Sequence, residues 1–201
     1  MASIRLVVLL SGNGSNLQAI IDAIESHQLN ASIVSVIANR KSAYGLIRAE
    51  NAKIPTTYVP LGPYRRHDCT RDAYDNDLAD LVESFKPDLV VLAGWMHILG
   101  PSFINRFSRK LINLHPALPG YFPGTNSIER AWYESKINKL SKTGVMVHYV
   151  VDEIDAGEPI AIEEITIDPN ETLEELKIKI HNVEHRLLVS AINKIINEEL
   201  T

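Results

Sequence analysis

Apolar residues run unbroken from Ile4 to Leu10. After a short polar interval they return with helical spacing at Leu17, Ile20, Ile21 and Ile24. The first stretch predicts a strand buried on both faces of a parallel sheet, and the second a helix covering it. Ser32 to Ala38 predicts a second strand. Ala43 to Ala52 predicts a short helix stopped at Ile54-Pro55, because the residue before a proline avoids helical backbone. Tyr74, Leu78, Leu81, Val82 and Phe85 mark a further helix closed by Pro87, with strands next at Asp88 to Ala93 and Leu111 to Leu114. This alternation predicts an α/β fold with an open, doubly wound, mostly parallel sheet.

The second half changes rhythm. Pro116 to Gly124 is rich in proline and glycine and reads as a loop. A short helix is expected at Ile128 to Tyr133 and a polar turn at Asn138 to Thr143. Val145 to Val151 and Pro159 to Ile167 read as two long strands forming an antiparallel C-terminal extension of the sheet. Thr172 and Glu175 form a capping box opening a last helix, whose stripe is Leu176, Ile180, Val183, Leu187 and Ala191 and which runs on toward Ile196. No repeat or linker divides the chain, so residues 1–201 are read as a single domain.

Composition narrows the function classes. With 45% hydrophobic and 22% charged residues the chain reads as an ordinary globular protein. Its formal net charge of -5 argues against nucleic acid or an anionic membrane as partner, and no apolar run is long enough for a membrane span. No secretory leader is expected. One cysteine, Cys69, excludes a disulfide framework and a cysteine-based zinc site. It reads as a tolerated thiol in a cytoplasmic protein.

Ser11-Gly12-Asn13-Gly14-Ser15-Asn16 lies between the first strand and the first helix, where free backbone N–H groups and the helix dipole favour an anion. A tight turn that binds nothing has the same position, and Ser15 or Asn16 also suits the helix N-cap. A dinucleotide fingerprint fails, since Leu17 stands where its third glycine belongs and Asn39, Arg40 and Lys41 stand where its acid belongs. A Walker A loop is absent too. A small phosphorylated substrate fits best.

Asn113 and His115 are two apart on a strand end, so their side chains share one side. The amide can donate to a developing oxyanion, and the imidazole can move a proton near neutral pH. Asp155, in the run Asp152-Glu153-Ile154-Asp155-Ala156-Gly157, is expected to raise the pKa of His115 and hold it as a charged acid. His148 and Asp152 read equally as metal ligands, but nothing completes a cluster of three, so no metal is expected. His27, His67, His181 and His185 read as solvated or supporting groups.

Four motifs now stand in order: Ser11 to Asn16, Ala93-Gly94-Trp95-Met96-His97-Ile98-Leu99, Asn113-Leu114-His115-Pro116, and Asp152 to Gly157. On these the chain resembles, nearly end to end, the phosphoribosylglycinamide formyltransferase family, its fungal branch more than its bacterial one. The resemblance implies a Rossmann-like formyltransferase fold, with a phosphate-binding half over about 1–100 and a catalytic, folate-binding half over about 101–201. It implies Asn113, His115 and Asp155 as the catalytic trio. Gly12, Asn13, Gly14, Ser15 and Asn16 would hold the substrate phosphate and Glu184 its ribose. Arg71, Met96, His97, Ile98, Leu99, Asn113, Asp152, Ile154 and Gly157 would meet the folate. The implied reaction is direct formyl transfer from 10-formyltetrahydrofolate to 5-phosphoribosylglycinamide, without metal, by a monomer or homodimer. His97 replaces an arginine and Trp95 a phenylalanine common in bacterial members. Phe122 to Lys142 is longer than theirs, and no contact is assigned between Thr125 and Thr143.

Two relatives share the His and Asp motifs. A formyltetrahydrofolate hydrolase is expected to carry a regulatory segment before the first strand, and a methionyl-tRNA formyltransferase a further, basic RNA-binding domain. A non-catalytic phosphometabolite-binding module is the remaining alternative, disfavoured by the three catalytic side chains occurring together.

Overall fold

The computed structural model describes residues 3–66 and 71–198; His67 and Cys69 lie outside the described residues. Strands β1 (Ile4–Leu10), β2 (Ala31–Ala38), β3 (Thr56–Tyr58), β4 (Leu89–Leu92), β5 (Leu111–His115), β6 (Lys142–Tyr149) and β7 (Pro159–Thr166) form one sheet in the order β3-β2-β1-β4-β5-β6-β7. The first five pair in parallel, and β6 and β7 extend the sheet antiparallel, as the sequence predicts. Helices α1 (Ser15–Glu25), α2 (Tyr44–Asn51), α3 (Gly62–Arg66), α4 (Arg71–Ser84), α5 (Pro101–Ile104), α6 (Ser127–Ile137) and α7 (Leu173–Glu198) complete it.

The unbroken apolar run of β1 is explained by burial on two faces. Leu6, Val8 and Leu10 pack with Leu17 and Ile20 of α1 and Leu176, Ile180 and Val183 of α7. Val7 and Leu9 point the other way, into a second core with Tyr74, Leu78 and Val82 of α4. Chain order reverses between β1 and β4, which opens a crevice at the carboxyl ends of the strands. Two sequence motifs are tied together at that point: Ser11 N donates to the Gly94 carbonyl at 3.0 Å, and Met96 N to Ser11 Oγ at 2.8 Å.

Several boundaries differ from expectation. β3, α3 and α5 have no sequence forecast, because elements of three to five residues are too short to show a period. β6 begins at Lys142, inside the stretch read as a polar turn, since Lys142 and Thr143 pair with Thr166 and Ile165 of β7. It ends at Tyr149, two residues before Val151. The N-cap of α1 is Gly14 in the left-handed region (φ 75°) with no side-chain cap, so neither Ser15 nor Asn16 fills that role. The capping box at α7 forms: Thr172 N donates to Glu175 Oε2 at 2.8 Å, and Glu175 N to Thr172 Oγ1 at 3.2 Å.

Candidate functional site

Asn113 and His115 leave the end of β5 on one side, beside the crevice. The antiparallel register of β5 and β6 sets His148 opposite Asn113. Asp155 approaches from the loop after β6, in a left-handed conformation (φ 53°) that Asp tolerates better than most residues. Its carboxylate joins the pair: Asn113 Nδ2 donates to Oδ1 at 3.1 Å, and His115 Nδ1 lies 3.3 Å from Oδ2. The Gly124 N–H also donates to Oδ2, at 2.7 Å. Gly157 supports this loop by packing, for a Cβ there would fall 1.6 Å from the Tyr149 carbonyl oxygen.

His148, which the sequence leaves outside the catalytic group, is buried at the centre of it. Its Nδ1 lies 2.8 Å from the Tyr149 carbonyl oxygen, and its Nε2 lies 3.2 Å from Asn113 Nδ2 and 3.6 Å from Asp155 Oδ1. Strand register is what brings it there, and register is not legible in one segment alone. Among the described residues, no group of three or more His, Cys, Asp or Glu could hold a metal ion.

The expectation that His115 has a raised pKa is overturned. Burial pushes the imidazole below the ordinary histidine value. The charge of Asp155 pulls it up by less, and His148 adds to the lowering. The ring therefore rests toward its neutral form. Yet both nitrogens face acceptors, with Nε2 3.1 Å from the Phe122 carbonyl. A neutral ring satisfies only one of them, and the unmet acceptor offsets only part of the cost of burial. Burial alone would raise the Asp155 carboxyl, but bonding by His148 and Gly124 and the histidine charges hold it below the usual carboxylate range.

These groups open on a cavity of about 560 Å³ lined by Asn113, His115, Asp155, Met96, Thr125 and Asn126, among others. A narrow cleft of about 100 Å³ shares Asn113 and Asp155 with it and runs between Trp95, Leu99, Asp152 and Ile154. The Met96 to Leu99 segment is held from behind. Buried Asp75 of α4 lies 3.0 Å from His97 Nε2 and accepts from Gly100 N at 2.7 Å, while Arg71 donates to the Ile98 carbonyl. The loop 116–126 forms a wall, pinned by Arg130 of α6, which donates to the Phe122 and Pro123 carbonyls at 2.5 and 2.6 Å.

The Gly-rich turn forms a neighbouring station. Asn16 Nδ2 donates to Glu184 Oε2 at 3.3 Å, which unites the turn with the buried acid of α7. His181 Nδ1 lies 2.9 Å from the same oxygen, and Glu184 pulls the His181 pKa up. Arg48 of α2, not singled out in the sequence, grips the turn: Nε donates to the Asn13 carbonyl at 3.0 Å and Nη2 to Asn13 Oδ1 at 3.1 Å. Gly14 has no room for a side chain, since a Cβ would lie 2.6 Å from Gly45 Cα.

The model of the formyl transferase family matches residues 4–192. A phosphoribosylglycinamide formyltransferase of Dictyostelium discoideum is 48% identical over 94% of this chain and 96% of its own length. One from Schizosaccharomyces pombe is 46% identical over 96% and 97%. Among solved structures, the phosphoribosylglycinamide formyltransferase of Bacillus halodurans superposes with a TM-score of 0.89 at 31% identity, covering 96% of each chain.

Proposed function

Because the chain belongs to the formyl transferase family, we propose that the corner of Asn113, His115 and Asp155 is where it moves a formyl group. The chain is a folate-dependent transferase that formylates 5-phosphoribosylglycinamide in de novo purine (IMP) biosynthesis. The donor is 10-formyltetrahydrofolate, and the cytoplasm is the compartment. One observation carries the assignment of the site: a single carboxylate, Asp155, binds both the amide and the imidazole beside the cavity.

In this reading the pterin lies in the narrow cleft against Met96 to Leu99 and the Asp152 loop, with the formyl carbon at Asn113. The acceptor phosphate sits on Gly12 to Asn16, and Glu184 holds its ribose. The acceptor amine attacks the formyl carbon, forming the C–N bond and an oxyanion that an Asn113 N–H stabilises in place of its contact with His148. His115, resting neutral with Nδ1–H on Asp155, takes the proton released by the amine at Nε2. The resulting imidazolium, now matched to both acceptors, adds its charge beside the oxyanion. It then returns the proton to N10 of the folate as the bond from carbon to N10 breaks. His115 thus acts first as base and then as acid, which fits its lowered pKa.

Purified protein mixed with both substrates should release tetrahydrofolate only when phosphoribosylglycinamide is present. Release without the acceptor would assign the chain as a hydrolase, and no release at all would leave a binding module.

A further inference from the structure

The first turn of α6 opens on the catalytic cavity: Ser127, Ile128 and Glu129 line it together with Asn113, His115 and Asp155. The first hydrogen bond of this 11-residue helix runs from Arg130 N to the Asn126 carbonyl at 3.0 Å. The N–H groups of Ser127, Ile128 and Glu129 come before it and have no acceptor within the helix. Asn126 holds the N-cap position in the left-handed region (φ 56°) and gives them no side-chain cap. No other acceptor meets them among the described residues. Ser127 adds a second unmet group. It is only 3% exposed, it lines the cavity, and its hydroxyl has no hydrogen-bond partner among the described residues. A buried hydroxyl without a partner is costly, and a bound acceptor group would remove that cost.

We propose that the first turn of α6 and the Ser127 hydroxyl bind the carbonyl oxygen of the acceptor's glycinamide group, which makes Ser127 a specificity-determining residue for the acceptor. The proposal rests on phosphoribosylglycinamide being that acceptor. Two observations select this group. First, α6 stands between the two stations that the acceptor spans. Glu129 Oε1 lies 3.2 Å from Lys177 Nζ of α7, close enough for the Glu129 charge to act on His181. His181 in turn bonds Glu184, the acid assigned to the ribose. On its other side the cavity reaches Asn113, where the amine attacks. Between ribose and amine the acceptor carries an amide, whose carbonyl needs donors. Second, the carboxylate of Glu129 stands in the same turn and lines the same cavity, so a phosphate there would meet like charge. A neutral carbonyl takes the free N–H and O–H groups without that repulsion.

The test measures Kd by titration calorimetry for two matched ligands in the wild type, Ser127→Ala and Ser127→Thr. One ligand is carbocyclic phosphoribosylglycinamide, and the other is the same compound with a methylene in place of the glycinamide carbonyl. Ser127→Ala should weaken the carbonyl ligand by about three- to tenfold, the range of a neutral hydrogen bond, and leave the methylene ligand unchanged. Ser127→Thr keeps the hydroxyl and should retain most of the discrimination, and Kd for the formyl folate should not move in either variant. An equal loss for both ligands would make the hydroxyl a structural group and overturn the proposal. No loss for either, or a loss confined to the folate, overturns it as well. Turnover of phosphoribosylglycinamide by the wild type is scored separately. If it is absent, the reading of function fails, while the same pair of Kd values still decides whether the turn binds a carbonyl.

Discussion

At the turn from Ser11 to Asn16, position is set by backbone. Gly14 takes a left-handed conformation, its Cα hydrogen faces Gly45, and Arg48 and the Met96 N–H hold the segment from either side. At the corner of Asn113, His115, His148 and Asp155, position is set by side chains from three separate segments that bond to one another in the dry end of a crevice. The turn can therefore bind an anion without titrating. The corner can move a proton, because burial and neighbouring charge compete over each group there. On the proposed reading, binding of the acceptor and chemistry on the donor are served by different physical devices, and mutations should separate them.

The largest effects belong to the corner. His115→Ala and Asn113→Ala should each lower kcat by roughly 10²–10⁴-fold with little change in KM for the phosphorylated acceptor, as steady-state kinetics would show. Near-normal turnover in His115→Ala would refute the assignment.

Asp155→Asn should lower kcat by about 10²-fold and also shift the pH profile. In the wild type, kcat/KM should rise with pH through a value below the ordinary histidine pKa of about 6.5, because the proposed base is His115 in its neutral form and its pKa is lowered. Asp155 opposes that lowering, so removing its charge should carry the acid limb to still lower pH. A profile that falls with rising pH over this range would make the imidazolium the resting form.

Effects at the turn should be smaller and fall on binding. Arg48→Met should raise the acceptor KM by about tenfold and leave kcat nearly unchanged, the mark of uniform binding lost. A matching fall in kcat would mean that the turn also orients the amine. Smallest of all, Thr172→Ala removes the α7 cap far from either station. It should cost about 1 kcal/mol in denaturant unfolding and leave the kinetics alone.

Sequence reasoning reached the parallel core and most of the site for a common reason. The β1 run, the α1 stripe and the Gly-rich turn are local patterns, and local patterns report which faces are buried. Asn113 and His115 were legible as a pair because strand alternation places residues two apart on one side. His148, Arg48 and Asp75 were not, since each reaches the site from an element whose neighbour is set by sheet order or helix packing. The start of β6 was missed on similar grounds: Lys142 and Thr143 look like turn residues until β7 pairs with them.

The protonation of His115 marks the boundary most clearly. From the order of residues alone, an imidazole near an aspartate calls for a raised pKa, because charge attraction can be inferred from residue type. The fold buries the ring and sets a second histidine near it, and the loss of solvent outweighs the attraction. The chain order determined which chemical groups are present and which surfaces they prefer, as both follow from composition and short-range period. Only the tertiary structure decided how much water each group keeps and which distant partner it meets, because solvation and contact depend on segments that the chain brings together from far apart.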